Sequence, residues 1–365
     1  MEKPILNKKP IEGKNKIFRY GIKRVQGWKK EMEIYNLNDN NIGPQKDINI
    51  FGIFDGHSGN EISQYLSINF TKLLLENENF KNGNYSQALI DIFKNIDISL
   101  KTEEVNDKLV FYRKQNRIEK KEKMNNLFKS DDNKDNLNKN DIDDLNILMD
   151  MIDPNNLEGV FIADFVGSSG IVILINDKMT YIANAGNSHC IAINKKLSII
   201  NDKNDAKQIL NTNKEKTRIN ISQGIKYGKE KEKTIEDEEF LYTRGFGDFQ
   251  YKNNILINLE EQEISSEPDI VEIPNEEIQF LIICNHGFYE YGKQIIYGNN
   301  FDNNNDINFD KIIADYFIKN LTNNQKKISE IIGEYFDIFI PKDNNNNQYY
   351  NNENLSCIII DFVNN

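Results

Sequence analysis

Three stretches of this sequence end an apolar run on groups that can hold cations or move protons. In "DINIFGIFDGHSGN" (47–60) the run Ile48–Phe54 stops at Asp55-Gly56-His57. In "FLIICNHGFYEY" (280–291) a second run stops at Asn285-His286-Gly287. In "NENLSCIIIDF" (352–362) a carboxylate, Glu353, stands just before the last run, and "GWKKEMEIY" (27–35) adds Glu33. Hard divalent cations take oxygen ligands from carboxylates, backbone carbonyls and water. Asp55, Glu353 and Glu33 supply carboxylates, and Gly56 offers a carbonyl with no side chain in the way. Taken singly, each feature has an ordinary explanation. Asp-Gly is a common turn, and the three histidines, His57, His189 and His286, each lie near a glycine, where a hydrogen-bonded role is commoner than a ligand role. The chemistry needs these strand ends to converge.

The elements that would bring them together are legible as patterns. "INIFGIF" reads as a strand. Ile62, Tyr65, Leu66, Phe70, Leu73 and Leu74 then follow helical spacing, as do Leu89, Ile92, Phe93, Ile96 and Leu100, with Ser86 as the expected N-cap. "SGIVILIN", "MTYIANAG" and "SHCIAIN" are short β-rich runs between turns, which predicts an antiparallel meander. "IQFLIICN" and "CIIIDF" are buried-strand candidates. Between them lie two more helical patterns, Phe309, Ile312, Ile313, Tyr316, Phe317 and then Ile328, Ile331, Ile332, Tyr335, Phe336, Phe339. This order predicts an α+β fold, with sheets packed in the middle and helices outside. One domain over 1–365 is expected. It carries a charged, Asn-rich, mostly mobile insertion at about 101–157, with a short helix around "LNILMDMI", and a polar flap at about 201–238. Asn-rich tracts at 299–308 and 342–354 read as connectors with little functional content.

Net charge of −12 argues against a nucleic-acid surface and against binding to anionic membranes. No uncharged stretch reaches the length of a membrane span, and the opening residues show no secretory signal. Cys190, Cys284 and Cys357 lie in or beside apolar runs, which suggests buried thiols in a reducing compartment. A cytoplasmic protein is the expectation.

The segments together resemble the metal-dependent protein phosphatase 2C family. "RYGIKRVQGWKKEME" is similar to its opening strand with Q-G-W-R-x-x-M-E-D, and "FGIFDGHSG" to F-x-V-F-D-G-H-x-G. "VGSSGIVILI" and "YIANAGNSHCIAI" resemble G-S-T-A and A-N-x-G-D-S-R. "LYTRGFGDFQYK" resembles L-x-x-S-R-x-L-G-D-x-x-x-K, followed by "SSEPDI". "FLIICNHGFYEY" and "NENLSCIIIDF" resemble the last two motifs, in the family's order. The resemblance implies a central β-sandwich of two antiparallel sheets flanked by helix pairs, with two Mn²⁺ or Mg²⁺ ions at one end. Asp55 matches the bridging carboxylate, Gly56 the carbonyl ligand and Glu33 the carboxylate acting through metal-bound water. His57 matches the acid that protonates the leaving alkoxide, and the substrate is a phosphoserine or phosphothreonine.

The departures fall on the chemistry. Aligned on its glycine, "CNHG" puts His286 where the family has a metal-binding aspartate, and Glu353 replaces the last aspartate. Asn187 and His189 replace the aspartate and arginine of G-D-S-R, Lys29 the phosphate-gripping arginine, and Ile34 the aspartate of M-E-D. Histidine for aspartate removes a charge and disfavours Mg²⁺. Glutamate displaces its carboxylate by about one methylene, beyond the ~0.2 Å tolerance of ligand distances. Lysine keeps a point charge and loses the bidentate fork. Two readings follow. One is a pseudophosphatase whose pocket keeps one partial metal site from Asp55, Gly56 and Glu33, or none, with little or no turnover, serving as a binding or regulatory scaffold for a protein partner or phosphoprotein, docked through the 101–157 insertion. The other is an active phosphatase with changed metal preference, Asp55, His286 and Glu353 holding the ion and Lys29 the phosphate. The number of changed positions favours the first.

Overall fold

The computed structural model describes residues 10–29, 31–129, 160–198, 243–258, 261–289, 292, 305–323, 326–340 and 353–363. Strands β1 (Ile11–Lys14), β2 (Phe18–Val25), β3 (Ile34–Ile42) and β4 (Ile48–His57) lead into helices α1 (Glu61–Glu76), α2 (Glu78–Lys81), α3 (Tyr85–Ser99) and α4 (Glu103–Lys129). Strands β5 (Gly167–Ile175), β6 (Met179–Ala185), β7 (His189–Asn194), β8 (Phe246–Gly247), β9 (Asp269–Pro274) and β10 (Ile278–Cys284) follow. Helices α5 (Asn305–Asn323) and α6 (Ile328–Phe339) precede β11 (Leu355–Phe362). One sheet runs β1-β2-β11-β10-β7; the other runs β3-β4-β5-β6-β9, with β8 beside β5. The ladders are antiparallel, including β4 against β5 and β10 against β11.

Period-two alternation sorts each strand's side chains between two cores. Phe51, Ile53, Ile171 and Ile173 of one sheet meet Leu281, Ile283, Ile358 and Ile360 of the other, forming the core between the sheets. The opposite sides of the same strands meet helices. Phe54, Val172 and Leu174 pack on Leu66 and Phe70 of α1, Phe93 of α3 and Leu109 of α4. Ile282, Cys284, Cys357 and Ile359 pack on Phe309 and Phe317 of α5 and Ile332 and Phe336 of α6. The expected two-sheet sandwich flanked by helix pairs is therefore present. Trp28 packs in the α5–α6 core, and all three cysteines are buried free thiols. Among the described residues no helix is long and apolar enough to cross a membrane.

At one end of the sandwich the inner face turns polar. Two residues beyond the last inner apolar residue of their strands stand Arg24 after Ile22, Asp55 after Ile53 and Asn285 after Ile283. Before the first one stand Ser169 before Ile171, Ser188 before Cys190 and Ser356 before Ile358. Of these, Ser169, Ser188, Asn285 and Ser356 are at most 3% exposed. The sandwich thus ends in a buried polar layer, and the candidate residues sit on it.

Several expectations need correction. The three central β-rich runs do not form one meander, because β7 leaves β6 and pairs with β10 in the other sheet. Gly186, at φ 128°, and the bond from Asn184 Nδ2 to the Ser188 carbonyl (2.9 Å) fold the connection tightly enough to lift the chain across. Asn84, not Ser86, occupies the N-cap position of α3, with no side-chain capping bond; Ser86 lies in the first turn and its hydroxyl donates to Glu272. The opening of the presumed insertion is helix α4, since Val105 and Leu109 are buried in the α1–α3 core. Arg113 pairs with Glu61 at 2.7 Å and Asn116 bonds Asn60 at 2.7 Å. Helix α5 begins inside an Asn-rich tract, at Asn305. The helix expected around "LNILMDMI" and the flap at about 201–238 lie outside the described residues.

Candidate functional site

The loop between β2 and β3 brings Lys29 and Glu33 to the polar end of the sandwich, and its anchors are specific. Asn354, just before β11, is 1% exposed. Its Nδ2 donates to the carbonyls of Gln26 (2.9 Å) and Glu31 (3.0 Å), and its Oδ1 accepts from the Glu33 amide at 2.7 Å. Trp28 is the loop's apolar anchor. The Gly56 amide donates to the Glu33 carbonyl at 3.1 Å, and Ser63 Oγ to the same oxygen at 2.6 Å. A Cβ on Gly56 would lie 2.8–2.9 Å from the Gly59 and Glu33 carbonyls and Ser63 Oγ. Glycine is required there by close packing of main chains, an additional reason to the open carbonyl expected from sequence.

These contacts gather Glu33, Asp55 and Glu353, and the cation among them is Lys29. Its ammonium is ion-paired with Glu33 and lies 3.6 Å from Glu353 Oε2. Burial pulls the Lys29 amine down, but Glu353, Glu33 and Asp55 outweigh it and hold the amine above its ordinary value. Burial raises the Glu33 carboxyl, with Lys29 opposing. Asp55 is pushed up to about 7, first by burial, with Glu353 and Glu33 adding and the Asn285 hydrogen bond and Lys29 opposing. Lys29, expected to hold a phosphate, is instead committed to carboxylates.

Asn285, like Asp248 and Asn354, is a residue that sequence reasoning missed. Its Nδ2 donates to Asp55 Oδ2 and to the Asn354 carbonyl, both at 2.9 Å, while its Oδ1 accepts from the Ser356 amide at 2.8 Å. The amide cannot turn its oxygen toward Asp55 without losing these bonds. Alignment on Gly287 singled out His286. Strand alternation from Leu281 and Ile283 points instead to Asn285, and that was the available signal. His286 is half-buried and opens the helical turn 286–289. Gly287 lets the strands close up, because a Cβ there would meet the Asn354 carbonyl at 2.6 Å and Glu353 Cβ at 2.7 Å.

His57 has a different partner. Its Nε2 lies 2.7 Å from Asp248 Oδ2, and Asp248 is 2% exposed. Asp248 adopts left-handed backbone at φ 54° after Gly247 at φ 76°, a turn tied by its own amide to the Val166 carbonyl at 3.1 Å. The pair lies over Gly167, where a Cβ would come within 2.1 Å of Asp248 Oδ2 and 2.4 Å of the imidazole. Beneath it the Gly247 amide donates to Asp97 Oδ1 at 2.8 Å. Lys252 Nζ donates to Asp97 Oδ2 at 2.7 Å and to the Gly245 carbonyl at 2.9 Å. The carboxylate fixes the orientation of the imidazole ring.

The family model described as Protein phosphatase 2C matches residues 18–112 and 110–294. The chain belongs to the protein phosphatase 2C family. "Probable protein phosphatase 2C 6" of Paramecium tetraurelia is 25% identical over 364 residues, covering 99% of this chain and 98% of that protein. "Probable protein phosphatase 2C 5" of the same organism is 27% identical over 271 residues, covering 74% and 73%. The crystal structure of a serine-threonine phosphatase 2C from Toxoplasma gondii shares the fold, with a TM-score of 0.54 at 12% identity over 97% of this chain and 99% of that one.

Protein phosphatase 2C enzymes are generally dependent on Mn²⁺ or Mg²⁺, and the donors here do not suit a pair of such ions. Among the described residues no three His, Cys, Asp or Glu side chains converge to hold a metal, so Asp55, His286 and Glu353 do not form the expected ligand set. Two physical reasons are visible. The amide facing Asp55 presents N–H groups, which cannot ligate a cation. The oxygens of Glu33 and Glu353 already face an ammonium.

Proposed function

We propose that this chain is a pseudophosphatase of the protein phosphatase 2C family, a binding or regulatory scaffold for a protein partner. The single observation that carries the reading is the pairing of Lys29 with Glu33 and Glu353, which uses both the phosphate-gripping position and the carboxylates that two-metal chemistry requires. Asn285 at Asp55 supports it from the other side. Lys29 is taken up by carboxylates, so this reading places recognition on a protein partner, not on a phosphate seated beside Asp55.

One observation favours the second reading, an active phosphatase with changed metal preference. The His57–Asp248 pair has the geometry of a proton donor, and a pure scaffold has no use for it. The test is hydrolysis of an aryl phosphate by the full chain with Mn²⁺, Mg²⁺, Fe²⁺ or Zn²⁺, beside Asp55→Ala. The pseudophosphatase reading expects native protein and Asp55→Ala to be equally silent. Metal-dependent turnover that Asp55→Ala abolishes overturns it.

A further inference from the structure

Resting on the scaffold reading above, we infer that the tip of the segment between β8 and β9 is an anchor for a protein partner with an apolar pocket rimmed by lysine or arginine. The tip presents three consecutive aliphatic residues, Ile255, Leu256 and Ile257, exposed by 95%, 87% and 38%. A run of apolar side chains left in water has no folding benefit, and such a patch marks a surface that another molecule covers. The other strongly exposed apolar residues among those described, such as Ile68, Ile98 and Ile338, stand singly in the sequence.

Polar contacts, not these aliphatic side chains, hold the tip in shape. Asn254 Oδ1 accepts from the Leu256 amide at 3.1 Å. Gln262 Nε2 donates to the Asn254 carbonyl at 2.7 Å and to the Ile257 carbonyl at 3.2 Å, while its Oε1 accepts from the Asn254 amide at 3.2 Å. Glu261 Oε2 accepts from the Asn258 amide at 3.3 Å. Both stems are buried, at Lys252 and Ile264. A projection held this way loses little conformational freedom on binding, which is what an anchor residue needs. Charge chooses the partner. Between Asn253 and Glu263 the sequence has Glu260, Glu261 and Glu263 and no lysine or arginine, within a chain of net charge −12. Like charge disfavours a second copy of the chain and an anionic bilayer, and favours a basic rim around the pocket.

The test uses the full chain, Ile255→Ser and Leu256→Ser, and its probe is a displayed library of small helical proteins randomised over one face. Both variants should keep the native melting temperature to within about 2 °C, because side chains so exposed have no packing to lose. A larger fall would show that Ile255 and Leu256 pack within the fold, and overturns the inference. Clones selected on the native chain should be enriched in apolar and basic residues and should weaken as salt is raised. They should bind each variant at least roughly tenfold more weakly than the native chain. Clones that bind both variants as tightly as the native chain overturn the inference, and so does enrichment of acidic faces. Dimers in sedimentation that Leu256→Ser abolishes overturn it in favour of a second copy. Binding to phosphatidylcholine vesicles that Leu256→Ser abolishes overturns it in favour of a membrane. Metal-dependent turnover of an aryl phosphate overturns the pseudophosphatase reading alone, and the clones still decide the anchor.

Discussion

Lys252→Met is the sharpest probe of how the His57 side of the site is supported. The Lys252 and Asp97 side chains are 1% and 2% exposed, with 2.7 Å between Nζ and Oδ2. Substitution removes two donors at once, one to Asp97 and one to the Gly245 carbonyl, and leaves the Asp97 carboxylate with the Gly247 amide and the Ser266 side chain. Breaking a buried pair from one side costs about 3–5 kcal/mol, because the remaining charge is uncompensated. Total stabilities of about 5–15 kcal/mol make that a large fraction. The double substitution Lys252→Met with Asp97→Asn leaves no charge behind, and its amide oxygen still accepts from Gly247. It should recover at least half of the loss. Guanidinium unfolding followed by circular dichroism measures both variants. Amide exchange at Gly247 should accelerate in the single variant, because that N–H anchors the turn presenting Asp248. The reasoning fails if the single substitution costs under about 1 kcal/mol, or if the double is no more stable than the single.

Two further outcomes follow from the same geometry. Asp55 carries a folded-state value of about 7 against an ordinary 3.8, so the folded chain holds its proton more tightly than the unfolded chain. Stability relative to Asp55→Asn is therefore fully present below pH ~4, falls as pH rises toward ~7 and is level beyond. The bound is about 4 kcal/mol, cut to about 2 by solvent at the edge of the site, and urea titrations across that window should show the slope. A native chain that gains on the variant with rising pH would contradict the burial of Asp55. Asn354→Ala strips partners from the Gln26 and Glu31 carbonyls and the Glu33 amide, so a loss of about 2–4 kcal/mol is expected. Proteolysis should then cut first within residues 26–33, and an unchanged cleavage pattern would show that the loop's other anchors hold it without Asn354.

Much of the fold was legible in the sequence because hydrophobic periodicity is a local property. The alternation of β4, β10 and β11 and the helical spacing of α1, α3 and α6 are written in consecutive residues, and each element formed where its pattern lies. The motif series identified the family on the same ground, since each motif is a short stretch around one strand end. The partner of β7 was not legible. Its pattern suits either sheet, and the tight link at Gly186 to Ser188 decided the matter. Helix α4 was hidden by its composition, for among the described residues Val105 and Leu109 are buried in the core with Val110 and Tyr112 packed against it, and a polar sequence does not announce a helix made stable by its neighbours.

At the site the division is sharper. The sequence alone determined that Asp55, Gly56, His57, Glu33 and Glu353 stand at strand ends. Tertiary structure decided what each of them faces. Asn285 meets Asp55 across 230 positions of chain, Asp248 meets His57 across 191, and Asn354 secures the Glu33 loop across 321. Lys29 is only four residues from Glu33, yet its commitment to carboxylates depends on Glu353 arriving from the far end of the chain. Pairing energies depend on distance and burial, and neither exists until the sheets close.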